Sequence, residues 1–278
     1  MITKYKLFET LNTHGSKSLT ESEFDQIQKS NCKNWTKAKT SLYRGQNNLG
    51  DYVYTDPRGT HRKSIDDVNT HIELMDELPC WKEYPKYSAS VIGISDQGAA
   101  VGYGYDDVKL TLSRRRSMVY EVIPFDNSDI VVCPHETIWN SLGGFGDEDP
   151  IYLTHYFLNK VQKNAGSLSL TYDKIGIENM LKDIPNIMDL FPQYKQNPNF
   201  HNTPGHLFLE FLSQASEDIG KDKNEISGED CYNFLNDYLF NPVVRKFEIV
   251  KYTPGFEIPL NRQIWISEPV LLISTDKS

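Results

Sequence analysis

The sequence has no long apolar run. Nothing approaches the about 18 consecutive apolar residues that a membrane-spanning helix requires. The opening MITKYKLFETLNTHG has no apolar signal-peptide core, so an intracellular, cytoplasmic protein with no membrane partner is expected. Cysteine is scarce: Cys32, Cys80, Cys133 and Cys231 are scattered, with no CxxC pair. A structural metal site is therefore not expected, and the thiols read as free. Positive charge is in deficit. The chain carries 29 Lys+Arg against 38 Asp+Glu, a net charge of −9, which argues against a chain-wide duplex-binding surface. The P-loop GxxxxGK[ST], the dinucleotide GxGxxG, HExxH and GxSxG are all missing. Gly143-Gly144-Phe145-Gly146 is followed by Asp147, Glu148 and Asp149, acids that would repel phosphate, so it reads as a connection. His201 and His206 flank a Thr203-Pro204-Gly205 turn rather than a metal site.

What the chain does have is aromatic mass. Sixteen Tyr, thirteen Phe and four Trp in 278 residues are too much for a disordered chain and enough for a real core. Residues 18–32 read as a short helix, with Thr20 or Ser18 as cap and Phe24 and Ile27 on one face. Residues 41–46 read as a strand edge ending in a tight turn. Residues 47–59 read as loop with a short strand at 52–54, and 66–78 as a helix ended by Pro79. Strands are expected at 86–95, 108–112, 118–123 and 129–132, with a short helix at 97–105. Helices then dominate: 151–161, 172–181, 205–215 and 228–240, with a long loop at 185–204. Strands return at 243–252, 263–266 and 270–274, too few and too short to form a sheet of their own. The expected class is α+β: residues 1–133 and 242–278 form the core, and 134–241 form an inserted helical lobe.

Three strand-edge elements carry residues of chemical use. In Leu42-Tyr43-Arg44-Gly45-Gln46, Arg44 can grip a phosphate or carboxylate in bidentate fashion while Gly45 lets a ligand approach the backbone; a structural ion pair is the other reading. In Tyr87-Ser88-Ala89-Ser90-Val91, a strand would put Ser88 and Ser90 on one face, facing either a ligand or solvent. In the stretch from Ile264 to Ile273, Glu268 is an isolated carboxylate between apolar strands, with Pro269 breaking the ladder. Aimed into a cleft it can stabilise an oxocarbenium-like centre; otherwise it is a hairpin turn residue. Arg114, Arg115 and Arg116 form the one strong basic run, either a solvated turn or a phosphate contact.

These three elements, in this order, resemble the mono-ADP-ribosyltransferase family in its Arg/Ser-x-Ser/Glu form. The resemblance covers roughly 40–132 and 243–274 and implies an ADP-ribosyltransferase-like mixed β-sandwich core with an NAD cleft. It implies that Arg44 holds the phosphates of NAD, that Ser88 supports the nicotinamide end with Ser90 as the second serine, and that Glu268 is the catalytic glutamate that contacts the ribose 2′-hydroxyl and stabilises the oxocarbenium-like state. Ala99, Ala100 and Tyr103 follow at a spacing like that of the family's packing helix. There are departures. Ala89 stands where Thr is usual, Pro269 separates Glu268 from Val270-Leu271-Leu272, Ile266 occupies the position of a second Glu or Gln, and Gln263 is an alternative match that would leave no catalytic carboxylate. Tyr43-Arg44-Gly45-Gln46 also looks like the opening motif of FRG-type domains, and the general character resembles a phage protein. The resemblance thus implies an NAD-dependent glycosyl transfer to a protein or nucleic-acid acceptor. Arg44, Gly45, Ser88 and Ser90 would bind the cofactor, and Tyr43, Tyr87 and Trp265 would be available to stack. The competing expectations are a non-catalytic binding or structural protein that uses its helical lobe, and a nucleic-acid-modifying enzyme.

Overall fold

A computed structural model describes residues 15–35, 40–61, 70–102, 117–143, 150–164, 176–192, 194 and 204–277. Tyr103, the expected strand at 108–112, Arg114, Arg115, Arg116, Asp147, Glu148, Asp149 and His201 lie outside the described residues. The chain divides into two units, one of residues 1–62, 84–138 and 247–278, the other of 63–83 and 139–246.

The first unit is built on one antiparallel sheet. Its nine described strands are β1 (Ser16–Ser18), β2 (Leu42–Asn47), β3 (Tyr52–Thr55), β4 (Val91–Ile94), β5 (Ser117–Pro124), β6 (Asp129–Val132), β7 (Glu248–Lys251), β8 (Gln263–Ile266) and β9 (Val270–Ser274). Their order is β1-β3-β9-β5-β2-β4-β8-β6-β7. The strands after residue 242 therefore enter the same sheet as those before 133, with β8 and β9 in its interior.

The sheet cannot be flat. From β8 to β9 is four strand spacings, about 19 Å at the usual separation. The chain makes that journey between Ile266 and Val270, which spans at most about 14 Å when fully extended. The sheet must therefore curl until the two strands approach, as accumulated twist allows. The core agrees. Leu42, Val53, Val91, Tyr120, Val122, Ile130, Ile264, Ile266, Val270 and Leu272, from seven strands, meet in one buried cluster on the inner face. Alternation sends Tyr54, Ile123 and Leu271 to the outer face, where Phe24 and Ile27 of α1 (Glu21–Asn31) cover them. Helix α1 starts at a reciprocal capping box: the Glu23 N–H donates to Thr20 Oγ1, and the Thr20 N–H to Glu23 Oε2.

Gly93 permits the close approach of β4 to β2. A Cβ there would lie 2.7 Å from Leu42 Cγ and 3.0 Å from the Tyr43 carbonyl oxygen, a clash that only glycine avoids.

The second unit is helical. Its main elements are α2 (Thr70–Glu77), α3 (Pro150–Asn164), α4 (Pro204–Ile219) and α5 (Gly228–Phe234). Proline opens α3 and α4, where its missing N–H has no partner to lose. Phe157 of α3 stacks on Phe211 of α4 at 4.0 Å between ring centroids, and Phe191, Phe208 and Phe234 complete an aromatic core. Ser227 and Asp230 form a second capping box at the start of α5, which runs into a π-helical turn at Leu235–Leu239.

The sequence-based boundary put 63–83 with the sheet, but α2 belongs to the helical unit. Thr70 Oγ1 meets His155 Nδ1 at 2.7 Å, and Glu77 Oε2 accepts the Ile177 N–H at 3.0 Å. Those partners are about a hundred residues away, so no local pattern announces them. No described helix is long and apolar enough to cross a membrane.

Candidate functional site

The Arg44 element lies on β2, but not at a sheet edge: β2 sits between β5 and β4, and Gly45 is paired with Val119 inside the strand rather than in a tight turn. Alternation puts Leu42, Arg44 and Gln46 on the inner face, opposite Val122, Tyr120 and Met118 of β5. The seam between β2 and β4 is narrow, with a single registered pair, Tyr43 opposite Ile94. There the Arg44 side chain substitutes for ladder hydrogen bonds: Nη1 donates to the Ile92 carbonyl at 3.2 Å, and Nε to Gln46 Oε1 at 3.0 Å. Leu42 is fully buried and Arg44 and Gln46 are half-buried, so the inner face turns polar toward the Gln46 end. Tyr43 points to the opposite face, which removes it from any site Arg44 shares.

The Ser88 element differs from its expectation. Tyr87–Ala89 form a 3₁₀ turn, and β4 begins only at Val91. Ser88 and Ser90 therefore do not share a strand face. The reason is local. Ser90 Oγ donates back to the Lys86 carbonyl, an alternative to ladder pairing that serine offers readily. Both serines are buried. Tyr87 and Trp265, proposed as stacking residues, pack against each other edge to face, with ring centroids 5.1 Å apart. Both are buried in the protein's own core. The Trp265 indole N–H donates to the Pro85 carbonyl at 2.9 Å, and Gln263 Nε2 to Tyr87 Oη at 3.3 Å. Gln263 Oε1 in turn accepts the Ile138 N–H at 2.6 Å. The contacts of Trp265 and Gln263 with Pro85 and Tyr87 lash the 85–90 segment onto β8. Gln263, the rival match for the catalytic position, is part of that lashing.

Glu268 occupies the short link from β8 to β9. Burial raises its carboxyl pKa above the ordinary value, and the Asp129 charge adds to this; backbone N–H groups of Asp129 and of Glu268 itself, and the Lys251 charge, oppose it. Its Oε2 is buried with no hydrogen-bond partner. Lys251 is also tied to Asp129, at 2.8 Å. Arg58 is within electrostatic reach of Glu268. It is clamped by Asp56, which accepts from Nε at 2.8 Å and from Nη2 at 2.6 Å. That bidentate hydrogen bonding raises the guanidinium pKa further. Residues 57–59, which carry Arg58, touch the 87–89 turn.

Strand register brings the three elements to one end. Continuing the β2–β4 pairing, Gln46 falls opposite Val91, and Val91 pairs with Ile266. Ser90 immediately precedes Val91, and Glu268 follows Ile266 by two. Gln46, the Ser88–Ser90 turn and Glu268 thus sit at the same end of the neighbouring strands β2, β4 and β8. Sequence reasoning did not single out Gln46 or Arg58 as site residues. The alternation of Arg44 with Gln46 was a usable signal for the first, and the Asp56-Pro57-Arg58-Gly59 turn for the second. Among the described residues, no group of three His, Cys, Asp or Glu is placed to hold a metal ion. No protein-family model, curated protein or solved structure matches the chain.

Proposed function

We propose that the chain is an NAD-dependent mono-ADP-ribosyltransferase acting on a protein or nucleic-acid acceptor, with the sheet unit as an ADP-ribosyltransferase-like core. One observation carries the reading. Among the described residues of the sheet unit, two buried side-chain polar atoms lack a hydrogen-bond partner, Gln46 Nε2 and Glu268 Oε2. Both belong to the motif elements, and both lie at the same end of β2, β4 and β8. Buried polar atoms are ordinarily satisfied, so a donor and an acceptor left open together are what a polar ligand would complete.

The residues fit the dinucleotide in part. Arg44 and Gln46 offer donors for its phosphates, and Glu268 offers an acceptor for a ribose hydroxyl; Gly45 is buried and falls on the face opposite Arg44, so it offers no backbone approach to the same ligand. Tyr87 and Trp265 serve instead to fix the 85–90 segment on β8, while Ser90 closes its own turn onto Lys86 and Ser88 is buried within that turn. NAD supplies the activated glycosidic bond and nicotinamide as leaving group. Glu268, once ionised, accepts the hydroxyl proton in a hydrogen bond and stabilises positive charge on the ribose. Arg44 and Gln46 fix the phosphate end, so that placement contributes to the rate.

Nicotinamide release from NAD, measured with protein and RNA acceptors from a lysate, tests the proposal. Glu268→Gln should lower it by about a hundredfold or more. The wild-type rate should climb as pH rises through the raised Glu268 pKa. Absence of release with every acceptor, or an undiminished rate in the variant, defeats the reading.

A further inference from the structure

We infer that Asp129 and Lys251 are positioning residues for Glu268: an ion pair laid across the start of β6 decides at which pH the carboxyl of the β8–β9 link carries its charge. The inference rests on the reading above only in giving Glu268 a task, since the charge itself can be followed without any transfer.

Strand register builds the arrangement. Asp129 opens β6, and the ladder with β7 sets it directly opposite Lys251, whose Nζ lies 2.8 Å from Asp129 Oδ1. On its other flank β6 pairs with β8, Ile130 opposite Ile266. One step further along that register, Asp129 falls opposite Ser267, beside Glu268. Asp129 thus stands between the two. It is one strand spacing from the link, about 5 Å, and Lys251 is two spacings away, about 10 Å. The Asp129 backbone N–H donates to the Glu268 carboxylate, which holds the link, while the Asp129 side chain opposes charge at the same place. A like charge that stands nearer than its opposite leaves a net push against ionisation. The two charges act in that order: Asp129 raises the Glu268 pKa more strongly than Lys251 lowers it, and both act on top of the larger effect of burial.

The remaining charged neighbour comes from the other side of the link. Arg58, in the turn after β3, reaches Glu268 electrostatically, but Asp56 clamps it through Nε and Nη2, and Tyr54 lies within reach of that pair. Asp56 and Arg58 act as a nearly neutral unit, so the adjustable field at Glu268 is that of Asp129 and Lys251. Both of these side chains are partly exposed, and such a pair adds little to stability on its own.

Two substitutions break the same ion pair and keep side-chain length: Asp129→Asn and Lys251→Met. A purely structural pair would respond alike to both and would leave Glu268 unmoved. Here the two should move it in opposite directions. The titration is read by carbon-13 NMR of the glutamate carboxyls, with the Glu268 signal assigned by its loss in Glu268→Gln and folding checked by circular dichroism. At a pH below the wild-type midpoint, the ionised fraction should rise about threefold in Asp129→Asn, which removes the near like charge. It should fall about twofold in Lys251→Met, which removes the attraction and leaves Asp129 unanswered. The inference is overturned if either folded variant titrates with the wild type or moves the other way. Titrations that move apart without any nicotinamide release would sustain this inference and defeat the transferase proposal. Release that depends on Glu268, with the same pH profile in both variants, would do the reverse.

Discussion

At the scale of single residues, the chain separates groups held for packing from groups left open. Trp265 is of the first kind. Trp265→Phe removes the N–H that holds Pro85 and leaves a cavity where the larger indole packed, and should cost about 2–3 kcal/mol of stability. The KM for NAD in nicotinamide release should stay unchanged; a rise of tenfold would mean that the indole touches ligand. Glu268 is of the second kind, and its pH signature follows from its raised pKa. A carboxyl whose folded pKa lies above its unfolded value favours folding fully at low pH, and loses that contribution as pH rises through the unfolded and then the folded pKa. Glu268→Gln should therefore melt above the wild type at pH 7, and the gap should close below about pH 4. An unchanged gap across that range would show that Glu268 is not desolvated. The residue types at both sites were legible, since a lone carboxylate between apolar strands and an Arg beside a Gly stand out. What hid the difference between open and packed was partnership at long range: Trp265 meets Pro85 and Gln263 meets Tyr87, and nothing local to either residue reports this.

At the scale of elements, the capped helices and alternating strands could be read directly. Thr20 and Glu23 announce α1, and the apolar runs 263–266 and 270–274 announce β8 and β9, because the physics that forms them is local. The 87–89 turn could not be read that way. Its residues alternate plausibly for a strand, and only the short Ser90–Lys86 closure and the Trp265 tether turn them aside. Two substitutions test the element-level account. Ser227→Ala removes one half of the α5 capping box and should cost about 1 kcal/mol in chemical denaturation; no loss would mean that the box closes without contributing. Gly93→Ala forces Leu42 aside at the β2–β4 seam and should cost about 1–3 kcal/mol. Adding Leu42→Ala, which empties the space the new methyl needs, should give a double mutant more stable than the two separate losses predict.

At the scale of the whole molecule, a curled sheet and a helical unit are each assembled from segments far apart in the chain. The sheet unit draws on three stretches, and the helical unit on two. The class was visible in the succession of strand-rich and helix-rich regions. The curl was not, because it follows from the order of pairing, which the sequence does not display. That order makes β8 and β9 joints rather than edges: β8 joins β4 to β6, and β9 joins β3 to β5. A chain stopped after Arg262 would leave three disconnected fragments, β1-β3, β5-β2-β4 and β6-β7, each with exposed ladder edges. It should therefore accumulate as insoluble material on expression; a soluble product with native-like strand content by circular dichroism would contradict the pairing order. On the ribosome the same arrangement acts as a clock. The sheet can close only after residues 263–274 have emerged, and Glu268 lies in the link that closes it. A nascent chain would then carry neither a finished sheet nor a placed Glu268, so whatever depends on the position of that carboxylate would be withheld until synthesis has passed that link.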